Sequence, residues 1–187
     1  MKILIVILIT LTILFVFGQS NNITSDQYFV IKKIKNIEIR EYKESLNASY
    51  YSEKDSEKNN YFRNLASYIF GGNSENKSIS MTSPVTMRLY GNKEMIFRMP
   101  NEYSLENLPT ANNSMIKFIS IPACKKAAIS YSGYTNNETE KKKINKLKEI
   151  LLENKISHND KFEVLVYNSP YKILNRRNEI TVNINYP

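Results

Sequence analysis

A chain of 187 residues with 42% hydrophobic content has enough apolar material for one domain with a sizeable core. Cys124 is its only cysteine and His158 its only histidine, which excludes an intrachain disulfide, a Cys-x-x-Cys site and paired-histidine zinc motifs. The net charge of +8, from 26 Lys+Arg against 18 Asp+Glu, suits an anionic partner, and an N-terminal leader that exports the chain sets nucleic acid aside.

The first element is a leader. Met1 and Lys2 precede an apolar run from Ile3 to Phe17, and Gly18, Gln19 and Ser20 follow as small or polar residues. This order is the tripartite secretory signal. A helix of that run rises only about 23 Å, short of the roughly 30 Å hydrocarbon core. The expectation is a signal peptide over 1–20, with an uncleaved anchor as the alternative, and one domain over 21–187. No later segment is apolar enough to span a bilayer. The location is then the secretory pathway or the extracellular space, or a membrane-anchored state if the leader stays. Sequons starting at Asn22, Asn47, Asn76, Asn112 and Asn137 permit glycosylation without establishing it.

Ile37 to Tyr42 alternates apolar and polar residues, and Ser45 to Tyr51 follows as a second extended run, predicting an antiparallel strand pair. From Lys58 to Phe70 the period changes. Phe62, Leu65, Ala66 and Ile69 share one helical face, Asp55 or Ser56 can cap the start, and Gly71-Gly72 can end the helix. Asn73 to Ser78 is a polar loop. Pro84–Tyr90 and Glu94–Met99 flank Gly91-Asn92 as a hairpin. A similar order then returns: extended Lys126–Tyr131, a turn over Gly133–Asn137, a helix over Glu138–Asn154, a strand at Phe162–Tyr167, a bend at Pro170 and a last strand at Glu179–Ile184. Strand-helix-strand-strand appears twice, which predicts a duplicated α+β unit with helices outside a curved or barrel-like sheet.

The catalytic inventory is nearly empty. There is no Gly-rich phosphate loop between a strand and a helix, no Gly-x-Ser-x-Gly elbow, and no base evident for any serine. Cys124 reads as a small packed side chain, and His158 as a turn residue. Met81, Met87, Met95 and Met99 read as core fillers or as the lining of a cavity for a flat apolar ligand. Around Pro170, Tyr171 lies beside Lys172, Arg176 and Arg177. These cations can meet ligand carboxylates while tyrosine covers an apolar face; equally, Arg176 or Arg177 can pair with Glu179.

Phe70-Gly71-Gly72-Asn73, Met81-Thr82-Ser83-Pro84-Val85, Met99-Pro100, Gly133-Tyr134, Tyr167-Asn168-Ser169-Pro170 and Arg176-Arg177-Asn178-Glu179 together resemble the SOUL haem-binding protein family, from about Tyr28 to Ile184. The resemblance implies a distorted antiparallel β-barrel of about eight strands with two helices, built from two similar halves. It also implies a non-enzymatic role: non-covalent binding of haem or a related tetrapyrrole in a shallow cleft beside the first helix and the bend before the last strand. A protein-interaction or other small-ligand module that has lost haem is the alternative, with a protein partner in place of the tetrapyrrole. Lys172 matches a lysine proposed in the family to meet a haem propionate, and Phe62, Leu65 and Ile69 match the apolar pattern of the first helix. Tyr171 and Arg176 complete the expected cofactor-binding set. Tyr68 stands where a relative carries a lysine, and no histidine occurs early in the domain. Tyrosine, methionine or a ligand-free cleft are the modes left for the iron.

Overall fold

The computed structural model describes residues 27–53, 60–169 and 171–187; the expected leader, the capping candidates Asp55 and Ser56, and Pro170 lie outside the described residues. In chain order the elements are β1 (Tyr28–Ile34), β2 (Ile37–Tyr42), β3 (Ser45–Tyr50), α1 (Tyr61–Ile69), β4 (Val85–Arg88), β5 (Met95–Arg98), β6 (Ile116–Ile121), β7 (Cys124–Tyr131), α2 (Asn137–Glu153), β8 (Ser157–Val166) and β9 (Asn178–Asn185).

The helix boundaries have local causes. Helix α1 ends because Gly71 takes a φ of +103°, a left-handed conformation that suits glycine. The chain then folds back so closely that a Cβ on Gly72 would lie 2.7 Å from the Ser67 carbonyl oxygen. Helix α2 starts where the Asn136 side chain accepts a hydrogen bond from the Thr139 backbone N–H at 2.9 Å.

The strands form one antiparallel sheet in the order β1-β2-β7-β9-β8-β4-β5-β3-β6. From β2 to β6 this order is a palindrome about the β4–β8 junction: β2, β3, α1, β4 and β5 correspond to β6, β7, α2, β8 and β9. Cross-strand partners Val85 and Val166 pack on the α1 and α2 clusters respectively, so both helices cover one face of the sheet. Helix α1 packs on β3 and β5, and α2 on β7, β8 and β9. Leu65 and Ile69 fill the first cluster; Leu147, Ile150 and Leu151 fill the second.

The expected distorted β-barrel of about eight strands is corrected to an open sheet of nine strands among the described residues. Strands β1 and β6 stand at opposite edges, and no ladder joins them. Closure needs a matched stagger all round the sheet, and these edges instead carry exposed lysines (Lys32 and Lys33 on β1, Lys117 on β6) of the kind that discourages pairing. Both edge strands also fall outside the sequence-based expectation. Strand β1 bulges between Val30 and Lys32, which breaks its period of two. Among the described residues no helix is long and apolar enough to cross a membrane.

Candidate functional site

Helix α1 divides the expected ligand residues by burial. Leu65 and Ile69 are 0% and 1% exposed in the core, whereas Phe62 at the margin is 41% exposed and meets Phe97 edge-on at 5.4 Å. Of these three, only Phe62 presents surface to a ligand without repacking. Tyr68 is also core. Its hydroxyl donates to the Pro109 carbonyl at 3.0 Å, and burial pushes it up to about 12.

The β8–β9 loop, residues 167–177 and described except at residue 170, carries the other three. Tyr171 is 90% exposed and Lys172 is exposed. Arg176 behaves differently: it is buried, its Nη1 donates to the carbonyls of Ser169 at 2.7 Å and Lys172 at 2.8 Å, and its guanidinium lies 4.4 Å over the Tyr134 ring. Arg176 therefore braces the loop from inside, with its charge turned to backbone dipoles. Between these residues stand Ile173 and Leu174, both about three-quarters exposed, which the sequence reading missed. Two adjacent aliphatic residues in an otherwise polar loop were the available signal.

Below the loop lies an ion cluster on the helix-free face. The Glu179 carboxylate, 0% exposed, accepts two bonds from Arg40 at 2.6 and 2.8 Å, one from Tyr167 Oη at 2.7 Å, one from Ser130 Oγ at 2.8 Å and one from Arg177 Nη2 at 2.9 Å. Burial alone would raise its pKa, but the bonds and charges of Arg40, Tyr167 and Arg177 outweigh that and hold it at about 2. The pairing of Arg177 with Glu179 was open in the sequence; the contribution of Arg40, 139 residues away, was not. Asn168 Oδ1 accepts from the Arg177 backbone N–H at 2.7 Å, which ties this cluster to the start of the loop.

Helix α1 and the loop approach through the sheet. Val85 on β4 pairs with Phe97 on β5 and with Val166 on β8, and Ser83 Oγ donates to the Tyr167 carbonyl at 3.1 Å. Two strand spacings, about 10 Å, separate Phe97 beneath Phe62 from the strand that leads into the loop. His158 lies at the other end of β8, paired with Ile184 and edge-on to Phe162 at 5.5 Å. Eight residues of strand, roughly 20 Å or more, lie between it and the loop. It is a strand residue and not the expected turn residue. Among the described residues no group of three or more His, Cys, Asp and Glu could hold a metal ion. Burial raises the Cys124 thiol above its ordinary pKa, more than Lys126 lowers it, which keeps it protonated and unreactive at neutral pH.

A family model described as SOUL heme-binding protein matches residues 23–183. No curated protein matches the sequence closely enough to count as a relative. Several solved structures share the fold. The EcmrR C-terminal domain aligns with a TM-score of 0.59 at 13% identity, covering 81% of this chain and 98% of that one. A hydrolase from Listeria innocua aligns at 0.55 with 8% identity, covering 83% and 94%. An uncharacterized conserved protein from the same organism aligns at 0.57 with 9% identity, covering 80% and 92%. At these identities the likeness is one of fold alone.

Proposed function

This chain belongs to the SOUL heme-binding protein family, and on that premise we propose that it is a carrier, buffer or scavenger that holds its tetrapyrrole against helix α1 and the β8–β9 loop. Family membership supports a non-enzymatic role with non-covalently bound haem or a related tetrapyrrole. The observation that carries the placement is the loop itself. Tyr171, Ile173 and Leu174 are 90%, 74% and 76% exposed, an apolar cluster of the kind that marks a binding surface.

The chemistry of these residues fits the group on two of three counts. Phe62 and the loop side chains offer exposed apolar and aromatic surface, the kind that covers the face of a flat macrocycle. Lys172, exposed and between two apolar residues, offers a cation for a propionate. Arg176 sets the loop's shape by holding the Ser169 and Lys172 carbonyls. The third count fails: His158 is too distant to ligate iron at this place. The haem supplies its iron and its absorption; the chain supplies surface, orientation and charge.

Lys172→Ala tests the placement. It is expected to weaken haemin binding several-fold with no change in Tm, and to leave the affinity for haemin dimethyl ester, which lacks the carboxylates, unchanged. Equal loss for both porphyrins would remove Lys172 from the propionate. A protein-interaction role is the second reading, favoured by the same exposed Ile173 and Leu174 and by the missing histidine. Protein expressed in haem-replete cells that purifies with a stoichiometric protein partner and no Soret absorption would support it.

The leader supports delivery through the secretory pathway. Sequencing of the mature N-terminus is expected to find the chain starting after Gly18 or Ser20, and an N-terminus still at Met1 would contradict cleavage. Asn47 is only 4% exposed in β3, and its side-chain nitrogen donates to the Ser45 carbonyl at 2.8 Å, which bars a glycan there in the folded sheet.

A further inference from the structure

The face of the sheet opposite the helices holds a second concavity, across the β4–β8 junction where the two halves meet. Its walls include Asn47, Ile96, Arg98, Lys126, Glu163 and Leu165. About 60 Å³ of it is wide enough for water. That is room for a handful of waters or one small anion.

The charges in this cleft are unevenly satisfied. Lys126 is paired with Glu163. Lys43, at the rim, lies 5.1 Å over the Phe29 ring and belongs to no ion pair among the described residues. Arg98 is half-buried, and its guanidinium has no hydrogen-bond or ion-pair partner among the described residues; only its backbone carbonyl is used, by Thr82 Oγ1 at 2.6 Å. Burial lowers its pKa, with no opposing charge to restore it. A partly desolvated cation without a partner costs free energy that an anion in the cleft relieves. Other arginines on this sheet face are engaged: Arg40 with Glu179, and Arg88 with Glu94.

We propose that this cleft binds a small carboxylate, seated on the Arg98 guanidinium with its short apolar part against Ile96 and Leu165. The planar fork of Arg98 matches a carboxylate through two parallel bonds. Glu163 in the same wall disfavours a doubly charged phosphate. The site is on the sheet face opposite helix α1 and uses none of the residues assigned to the tetrapyrrole, so it stands or falls separately.

The test is a titration of the 15N-labelled full chain with sodium acetate at constant ionic strength, following the Arg98 Nε–Hε resonance. Saturable movement of that resonance is expected. Arg98→Gln is expected to fold with an equal or higher Tm in anion-free buffer, because it removes an unpaired cation, and to weaken acetate at least tenfold. Saturating acetate is expected to leave the haemin titration unchanged. Linear shifts equal to those with sodium chloride would overturn the proposal, as would tighter binding of inorganic phosphate than of acetate. If Arg98→Gln does not fold, the wild-type resonance decides alone, since it reports the contact directly.

Discussion

Replacement of Glu179 by alanine is expected to destabilise the protein by about 3 kcal/mol, the lower end of the cost of breaking a buried pair from one side, because Arg40 keeps Glu38. For a domain of this size that is a fall in Tm of roughly 6–12 °C. The reason is the position of Arg40. Its guanidinium is 1% exposed, with Glu179 as its bidentate partner and Glu38, about a quarter exposed, as its second at 2.7 Å, so the substitution removes the fully buried carboxylate and leaves Arg40 with Glu38 and the Tyr42 hydroxyl. Glu179→Gln keeps an acceptor for one of these donors and is expected to cost less. A Tm within 2 °C of wild type for the alanine variant would contradict the account of this cluster.

The same residue sets a pH dependence whose sign follows from its lowered pKa. The folded protein holds Glu179 at about 2, against an ordinary value of 4.5. The unfolded chain therefore binds the proton first as pH falls. The stabilisation from Glu179 is complete above pH 4.5, declines as pH falls through the interval, and is gone below pH 2. Urea unfolding at successive pH values is expected to show wild type losing stability over this interval more steeply than Glu179→Gln, which has no proton to take up there.

The second large effect is expected at the loop. Ile173→Ser combined with Leu174→Ser should weaken haemin binding by about 10–100-fold, since covering one such side chain contributes on the order of 1.5–3 kcal/mol and only part of each is covered. Because both side chains are about three-quarters exposed without ligand, Tm should change little. The contrast with Glu179→Ala is informative: one variant loses stability through a buried charge, the other loses ligand through exposed apolar surface. Unchanged haemin affinity in the double variant would place the tetrapyrrole elsewhere.

The parts of the fold legible in the sequence are those where one face is buried and the period is unbroken. Ile37 to Tyr42 alternates because Ile37 and Ile39 point under α2 while Glu38, Arg40 and Tyr42 lie on the opposite, polar face. Strand β1 was illegible because its bulge shifts the side chains from one face to the other. The distorted barrel is an expectation from the family resemblance and not from periodicity. Periodicity reports which face a residue takes, and says nothing about whether β1 reaches β6. The site was half legible on the same grounds. The 3.6-residue spacing of Phe62, Leu65 and Ile69 marks the face that packs on the sheet, and the structure gives Leu65 and Ile69 to the core. Arg176 looked like a ligand cation because its charge was visible and the carbonyls that absorb it were not. Lys172, with no such neighbour for its ammonium among the described residues, is exposed and available for the propionate contact proposed for it.

The central claim is that this chain binds a tetrapyrrole, and the most direct measurement is a haemin titration of the purified protein followed by Soret absorption and tyrosine fluorescence. A shifted Soret band that saturates at one haem per chain is expected, with matching quenching of fluorescence. Its position should be that of iron without a histidine ligand, and His158→Ala should leave it unchanged. A featureless, non-saturating response at micromolar haemin would contradict the claim.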